Sequence, residues 1–267
     1  MKIIRFQDDT GAVRLGHRFE NGSADLLQGD ILGTLTDTGR RLKVAKLLSP
    51  LAPAAILCIG LNYRLHAGEF GVDLPEYPIL FMKNPAAATN PGDPIVIPAC
   101  CRNAPQVDYE AELAVVIGRS AKNVTAASAL EYVLGYTCGN DVTARRWQKL
   151  AGGGQWARGK SFDTFCPLGP ALVTADEIPD PQHLRISCRL NGELMQDAST
   201  ADMLFPVAHL IEYLSQDTTL MPGTVILTGT PPGVGFARTP PVWLDAGDRV
   251  AIEIEGIGTL ENPVTAA

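Results

Sequence analysis

Two glutamates and an aspartate form the group of residues with the clearest chemical potential. Glu110 and Glu112 stand two apart at the start of the apolar run ELAVVIG, and Asp141 ends the apolar run LGYTCGND. Because side chains alternate along a strand, Glu110 and Glu112 must point to the same face, about 6–7 Å apart. Two carboxylates at this separation repel each other unless a cation or solvent relieves the repulsion.

The types of these ligands indicate which cation they would hold. Three carboxylates without a partnering histidine or cysteine suit a hard cation, Mg²⁺ or Mn²⁺, that keeps water ligands for exchange with a substrate. The alternative is a solvent-facing edge strand with ordinary surface acids. We therefore predict a metal site at Glu110, Glu112 and Asp141.

A histidine and a glutamate form a second candidate group. His66 and Glu69 follow directly on the strand-like run ILCIG and stand three apart, so they would be neighbours on one helical face. A carboxylate beside an imidazole raises its basicity and fixes its tautomer, which favours proton abstraction from water. The alternative is a surface His/Glu pair.

Two further segments could bind an anionic substrate. Lys160 follows the glycine-rich stretch 152–159, a suitable place from which to direct one positive charge at a carboxylate, although it could also be a plain surface lysine. The segment TGTPPGVG at 228–235 lacks the order of a nucleotide-binding loop. Its backbone amides and Thr230 could still hold a small carboxylate, or the segment could be a structural turn.

The elements that must position these residues are mainly strands. Short apolar runs bounded by Gly, Pro and Asn dominate the chain from residue 56 onward, and Asn191-Gly192 predicts a two-residue hairpin. The proline-containing segment 49–53 predicts a boundary between a small N-terminal domain at 1–52 and a catalytic domain at 53–267. Helices are predicted only in short stretches, at residues 24–32, 125–134, 141–148 and 206–215.

Composition excludes several classes of partner. The 267 residues carry a formal net charge of −7, so no basic field is available for nucleic acid or anionic lipid. No run approaches the roughly 18–20 apolar residues that span a bilayer. The N-terminus turns acidic before a signal-peptide apolar region develops, and the 6 cysteines show no paired CxxC spacing. These features predict a cytoplasmic protein with reduced thiols.

The ordered motifs of the chain resemble the fumarylacetoacetate hydrolase superfamily. The resemblance runs from about residue 56 to residue 262. Within the superfamily, the motifs look most like those of the mitochondrial fumarylacetoacetate hydrolase domain-containing proteins and their bacterial relatives. The motifs are GLNYRLHAGE at 60–69, FMK at 81–83, DYEAELAVVIG at 108–118, GNDVTARRWQ at 139–148, GKSFDTFCPLGP at 159–170, LNGELMQ at 190–196 and LTGTPPGVG at 227–235.

This resemblance implies an architecture and a set of roles. The fold would be mainly β with short helices, a mixed β-sandwich roll with a small N-terminal domain, usually assembled as a homodimer. The acids would bind Mg²⁺ or Mn²⁺, and the substrate would be a small anionic 2-oxo acid. His66 and Glu69 would activate water, and Lys160 would be the active-site lysine. The substrate pocket would be lined by Arg145, Gln148 and Thr230.

Several reactions fit this set of residues. The main hypothesis is a hydrolase that cleaves a C–C bond of a 2,4-dioxo acid such as an acylpyruvate or fumarylpyruvate, through a metal-stabilised enolate. The alternatives are an enol–keto tautomerase or decarboxylase of oxaloacetate, an isomerase or hydratase, and a catalytically silent relative that only holds a metal. We expect a lid at residues 68–78 to set the distal part of the pocket.

Overall fold

The computed structural model describes residues 1–71, 73–150 and 154–267, and short strands are their most common secondary structure. The strands are β1 (Lys2–Gln7), β2 (Val13–Glu20), β3 (Ser23–Gly29), β4 (Leu35–Lys43), β5 (Lys46–Leu48), β6 (Ala55–Gly60), β7 (Ile79–Lys83), β8 (Ala88–Thr89), β9 (Ile95–Ile97), β10 (Val107–Asp108), β11 (Ala111–Ile117), β12 (Val133–Asn140), β13 (Thr143–Ala144), β14 (Cys166–Thr174), β15 (Arg185–Leu190), β16 (Glu193–Ser199), β17 (Thr224–Leu227), β18 (Arg249–Ile254) and β19 (Gly258–Ala266).

The α-helices are short and lie between the strands. They are α1 (Arg64–Phe70), α2 (Arg145–Lys149), α3 (Trp156–Lys160) and α4 (Val207–Ser215). Short 3₁₀ segments occur at Pro85–Ala87, Ala99–Cys101, Ala126–Tyr132, Ala175–Glu177, Thr200–Asp202 and Gly235–Ala237. The predicted fold class, mainly β with short helices, is confirmed.

Two sheets pack face to face around the main core. The large sheet has the order β4-β3-β2-β1-β14-β12-β11-β17-β6-β7, and the smaller sheet has the order β16-β15-β18-β19-β9. Apolar side chains of β11, such as Leu113 and Val115, share one core with Ile186 of β15 and Ile252 of β18. This arrangement is the predicted β-sandwich.

Strand β11 is buried on both of its faces, and this decides where its glutamate points. Leu113 and Val115 face the sandwich core, whereas Ala114 and Val116 pack in a second cluster. Because side chains alternate, Glu112 shares the face of Ala114 and Val116. A carboxylate therefore enters a layer that is otherwise apolar, at the end of the strand.

The N-terminal strands continue the large sheet. β1 pairs antiparallel with β14, with Ile3 opposite Leu172, and β2 to β4 extend the sheet outward from β1. The division into domains at 1–52 and 53–267 stays a prediction.

Of two local predictions from the sequence, the hairpin is confirmed and the helix near the N-terminus is wrong. Residues 190–194 form the predicted hairpin, in which Asn191 and Gly192 have φ angles of 53° and 86° between β15 and β16. The helix predicted at 24–32 is wrong, because that segment forms β3, which pairs with β2 on one side and β4 on the other. Strand partners on both sides outweigh the helical propensity of its alanine, leucines and glutamine.

Parts of two predictions lie outside the described residues. Val72 belongs to the predicted lid at 68–78, and Gly152 and Gly153 belong to the glycine-rich stretch before Lys160. Among the helices of the described ranges, none is long and apolar enough to cross a bilayer.

Candidate active site

The three predicted acids meet at the end of the central strands. Asp141 directly follows β12, and its backbone N–H donates to the carbonyl oxygen of Glu110 at 2.9 Å. One carboxylate oxygen from each of Glu110, Glu112 and Asp141 lies within 4.8 Å of the other two, and all three side chains are buried. The antiparallel pairing of β11 with β12 thus brings the ExE pair and the distant aspartate together.

Buried cations surround two of these acids. Lys160, at the end of α3, donates to Glu110 Oε2 at 2.7 Å, to Asp141 Oδ2 at 2.6 Å and to Thr143 Oγ1 at 2.7 Å. Lys83, the last residue of β7, donates to Asp141 Oδ1 and to the Val142 carbonyl. Burial alone would lower the pKa of Lys160, but the charges of Asp141 and Glu110 raise it. Lys160 is therefore held as an ammonium ion.

Glu112 has much weaker compensation than its neighbours. Its Oε2 accepts one hydrogen bond, from the backbone N–H of Gly229 at 2.7 Å. Burial, followed by the charges of Asp141 and Glu110, raises the pKa of Glu112 well above the usual value. In contrast, Lys160 and Arg145 overcome the effect of burial on Glu110 and lower the pKa of that carboxyl.

This imbalance is the physical test of the predicted metal. Three buried carboxylates offer oxygen ligands within 4.8 Å of one another, and burial and the charges of Asp141 and Glu110 oppose the ionisation of Glu112. A hard divalent cation requires such oxygen donors and would relieve the repulsion. The residues present therefore fit Mg²⁺ or Mn²⁺.

The histidine–glutamate pair also forms. On α1, His66 Nδ1 lies 2.8 Å from Glu69 Oε2, and Glu69 Oε1 accepts from the Gly233 backbone N–H at 2.7 Å. Glu69 is therefore fixed from both sides, by the imidazole and by the loop after β17. A carboxylate on Nδ1 holds the imidazole in the tautomer that leaves Nε2 as the basic atom.

Arg145 is anchored by a residue that the sequence reasoning missed. Its Nε and Nη2 donate to Asp108 Oδ2 at 2.9 and 2.7 Å, and its Nη1 lies 2.7 Å from Glu110 Oε1. Asp108 also accepts from the backbone N–H groups of Gly235 and Phe236 at 2.8 and 3.0 Å. Asp108 thus joins α2 to the loop that holds Glu69.

Gln148 and Thr230 are placed by specific neighbours. Gln148 Oε1 accepts from Arg145 at 3.2 Å. Thr230 Oγ1 accepts from the side-chain amide of Gln196 at 2.8 Å, and the carbonyl group of Gln196 accepts from the Ala111 N–H at 3.0 Å. Gln196 was also missed as a site residue, although it closes the LNGELMQ motif. It links the loop after β17, which carries Thr230, to β11, which carries Glu112.

Glycine permits the close approaches that the site requires. Gly229 has a φ of +98°, and a Cβ there would lie 2.7 Å from Asn62 Cβ. The side chain of Asn62 in turn spans to the Thr228 carbonyl at 2.7 Å. Because no larger residue fits, the Gly229 N–H can reach Glu112.

All of the predicted residues surround one cavity of about 290 Å³. Seven of them line it directly: His66, Glu110, Glu112, Arg145, Gln148, Lys160 and Thr230. Glu69 and Asp141 contact these residues. The wall also includes residues that were not predicted to belong to the site: Ile59, Gly60, Leu61, Phe81, Lys149 and Trp156.

A β-rich fold that gathers a carboxylate cluster, a histidine–glutamate pair and buried lysines around one small cavity defines an enzyme that acts on small molecules. Sequence comparison identifies its family. The family profile described as fumarylacetoacetate (FAA) hydrolase C-terminal matches residues 55–265. The chain belongs to the fumarylacetoacetate hydrolase family.

Individual proteins of this family are similar to the chain in sequence or in structure. The oxaloacetate tautomerase fahd2, mitochondrial, of Xenopus laevis is 51% identical over 219 residues, which cover 82% of this chain and 68% of the relative. The solved structure of 5-carboxymethyl-2-hydroxymuconate delta-isomerase from Mycobacterium smegmatis is 39% identical, with a TM-score of 0.87. That of fumarylacetoacetate hydrolase from Exiguobacterium antarcticum is 38% identical, also with a TM-score of 0.87. Each covers 100% of both chains.

These relatives confirm the predicted family, correct the expected location and bear on the choice of reaction. The cytoplasmic location is contradicted, because the Xenopus laevis relative is a mitochondrial protein by name. The same relative favours the tautomerase alternative over the main hypothesis of C–C hydrolysis.

Proposed function

We propose that this protein is a Mg²⁺- or Mn²⁺-dependent tautomerase that interconverts the enol and keto forms of oxaloacetate. The observation that carries the proposal is one cavity lined by both the buried acids Glu110 and Glu112 and the imidazole of His66. The 51% identity to a relative named oxaloacetate tautomerase supports the choice of substrate.

Glu110, Glu112 and Asp141 would hold the metal ion. When bound, the ion would supply a Lewis acid that polarises the 2-oxo group of the substrate. Lys160 and Lys83 keep the acids in position, because each is bonded to the cluster from a buried site. Arg145 and Gln148 line the same cavity, where they would stabilise the charge that develops on a substrate oxygen.

His66 would carry the proton. Glu69 holds Nδ1 at 2.8 Å, so Nε2 is the basic atom. Nε2 would accept the proton of the enol hydroxyl and deliver it to C3, and the reverse transfer would form the enol. The proton lost by oxygen is gained by carbon, so the reaction needs no co-reactant.

A C–C hydrolase is the second candidate. The His66–Glu69 pair could activate water as well as move a substrate proton, and a solved relative is named fumarylacetoacetate hydrolase.

We also propose that the chain works as a homodimer on a small anionic 2-oxo acid. Light scattering of the purified protein would test its assembly.

The experiment follows the ultraviolet absorbance of enol-oxaloacetate with Mg²⁺-loaded protein and measures pyruvate at each time point. The tautomerase predicts accelerated loss of the enol without pyruvate above the uncatalysed rate. Pyruvate formed in step with enol loss would show a decarboxylase instead. In a parallel assay, cleavage of an acylpyruvate with an unchanged rate of enol loss would favour the hydrolase and refute the proposal.

A further inference from the structure

Helix α2 presents two cations to the cavity. Arg145 and Lys149 stand four apart, so they share one face of the helix, and both line the cavity. They also approach the same aromatic ring: Arg145 Cζ lies 5.9 Å and Lys149 Nζ 4.2 Å from the centroid of Phe236. Like charges at this spacing repel each other, so an anion bound beside them would be stabilising.

The deeper cations are committed to the protein's own acids. Arg145 binds Asp108 and Glu110, and Lys160 binds Glu110 and Asp141. Their charges hold the catalytic cluster together. Lys149 differs in its position, because it is exposed on the solvent side of the cavity whereas these residues are buried.

Phe236 prepares Lys149 for binding. The ring face holds the ammonium group by a cation–π contact, which reduces the side-chain freedom that a ligand would have to restrict. Burial and the charge of Arg145 lower the pKa of Lys149. A ligand carboxylate next to Lys149 would stabilise its charged form and so oppose both effects on its pKa. The protein as a whole has a net charge of −7, so a dianionic ligand depends on such local cations.

We propose that Lys149 is a specificity-determining residue that binds the second carboxylate of a four-carbon 2-oxo dicarboxylic acid. The inference rests on the proposed function, which puts the 2-oxo acid end of the substrate at the buried Glu110 and Glu112. A substrate that extends from these acids towards solvent brings its distal carboxylate to Lys149, at the open side of the same cavity.

The test compares two ligands that differ only at the distal end. Oxaloacetate and 2-oxobutanoate each have four carbons, and only the former carries the second carboxylate. Binding of each to Mg²⁺-loaded protein is measured by titration calorimetry for wild type, Lys149→Gln, Lys149→Arg and the control Arg146→Gln. Arg146 is exposed on the same helix and lines a different cavity, beside Trp147.

We expect Lys149→Gln to weaken oxaloacetate binding about tenfold or more, since one charge-assisted hydrogen bond is lost. Binding of 2-oxobutanoate should change by less than about twofold, as is usual for an exposed substitution. Lys149→Arg should keep most of the preference for oxaloacetate, and Arg146→Gln should change neither ligand.

Three results would overturn the proposal: equal losses for both ligands, no loss for oxaloacetate, or a wild-type protein without preference for oxaloacetate. The proposed function fails separately. If wild type binds oxaloacetate through Lys149 but does not accelerate loss of the enol, the tautomerase is refuted and the role of Lys149 stands. If the protein accelerates loss of the enol and Lys149→Gln binds oxaloacetate like wild type, the tautomerase stands and the role of Lys149 is refuted.

Discussion

Replacing Glu112 with glutamine should remove metal binding and stabilise the metal-free protein at the same time. The Glu112 carboxylate is buried, accepts one hydrogen bond from Gly229, and lies among the charges of Glu110 and Asp141. Glutamine keeps the shape and the carbonyl oxygen that accepts from Gly229. It removes the charge that the fold does not balance.

The magnitude follows from the distances. At 4.8 Å, the upper limit of the separations between these oxygens, two like charges repel by about 3.5 kcal/mol at an effective dielectric constant of about 20. Lys160 lies beside Glu110 and Asp141 and offsets part of this, so we expect Glu112→Gln to raise the free energy of unfolding by about 2 kcal/mol. In a chain of this size, that gain raises the Tm by about 4–8 °C.

The pH dependence has a definite sign. Because burial and neighbouring acids raise the folded-state pKa of Glu112, its cost to stability is absent below the ordinary carboxyl pKa and grows as the pH rises above it. The advantage of the glutamine variant should therefore be larger at about pH 8 than at about pH 5.

The assay is thermal unfolding in EDTA and in Mg²⁺, with Glu193→Gln as an exposed control. Wild type should gain about 2.7 kcal/mol when Mg²⁺ is at about 100 times its Kd, and Glu112→Gln should gain almost none. A lower Tm of the variant in EDTA, or equal stabilisation of both proteins by Mg²⁺, would refute the reasoning. Glu193 is exposed at the start of β16, so its replacement should have no effect on either measurement.

Three further substitutions test other parts of the site. Lys160→Met should lower the free energy of unfolding by about 3–5 kcal/mol, because it leaves two buried carboxylates without their shared cation. The exposed control Lys122→Met should change this free energy by less than about 0.5 kcal/mol. Similar denaturation midpoints for the two variants would contradict this. Glu69→Gln should lower kcat for tautomerisation about 100-fold without changing the Mg²⁺-induced shift in Tm, and an unchanged kcat would exclude the proposed role of the pair. Gly229→Ala should cost about 1–3 kcal/mol more than Gly247→Ala, because both glycines have φ near +100° and only the first faces a close neighbour; equal losses of stability would show that backbone strain alone decides.

The acids could be predicted because simple strand geometry brings them together. A period of two puts Glu110 and Glu112 on one side of β11, and Asp141 follows the strand that pairs with β11. The His66–Glu69 pair follows in the same way from helical spacing. These relations are local or depend on one strand pairing, so residue type and spacing carry them.

The supporting residues could not be predicted because long-range contacts place them. Lys83 ends an ordinary apolar strand, and its contact with Asp141 depends on β7 lying beside β6 in the large sheet. Asp108 reaches Arg145 because β10 pairs with β13, the strand that directly precedes α2. The helix predicted at residues 24–32 was wrong for a similar reason, because pairing of residues 23–29 with β2 and β4 outweighs their local helical propensity.

The central claim is that the cluster of Glu110, Glu112 and Asp141 holds the metal on which enol–keto interconversion of oxaloacetate depends. Its most direct test is the rate of enol loss in protein stripped of metal and then titrated with Mg²⁺, with the Tm measured on the same samples. We predict that the rate is near the uncatalysed value in EDTA and rises with the same midpoint as the Tm. A full rate in EDTA, or a rate that does not follow the Tm, would contradict the account.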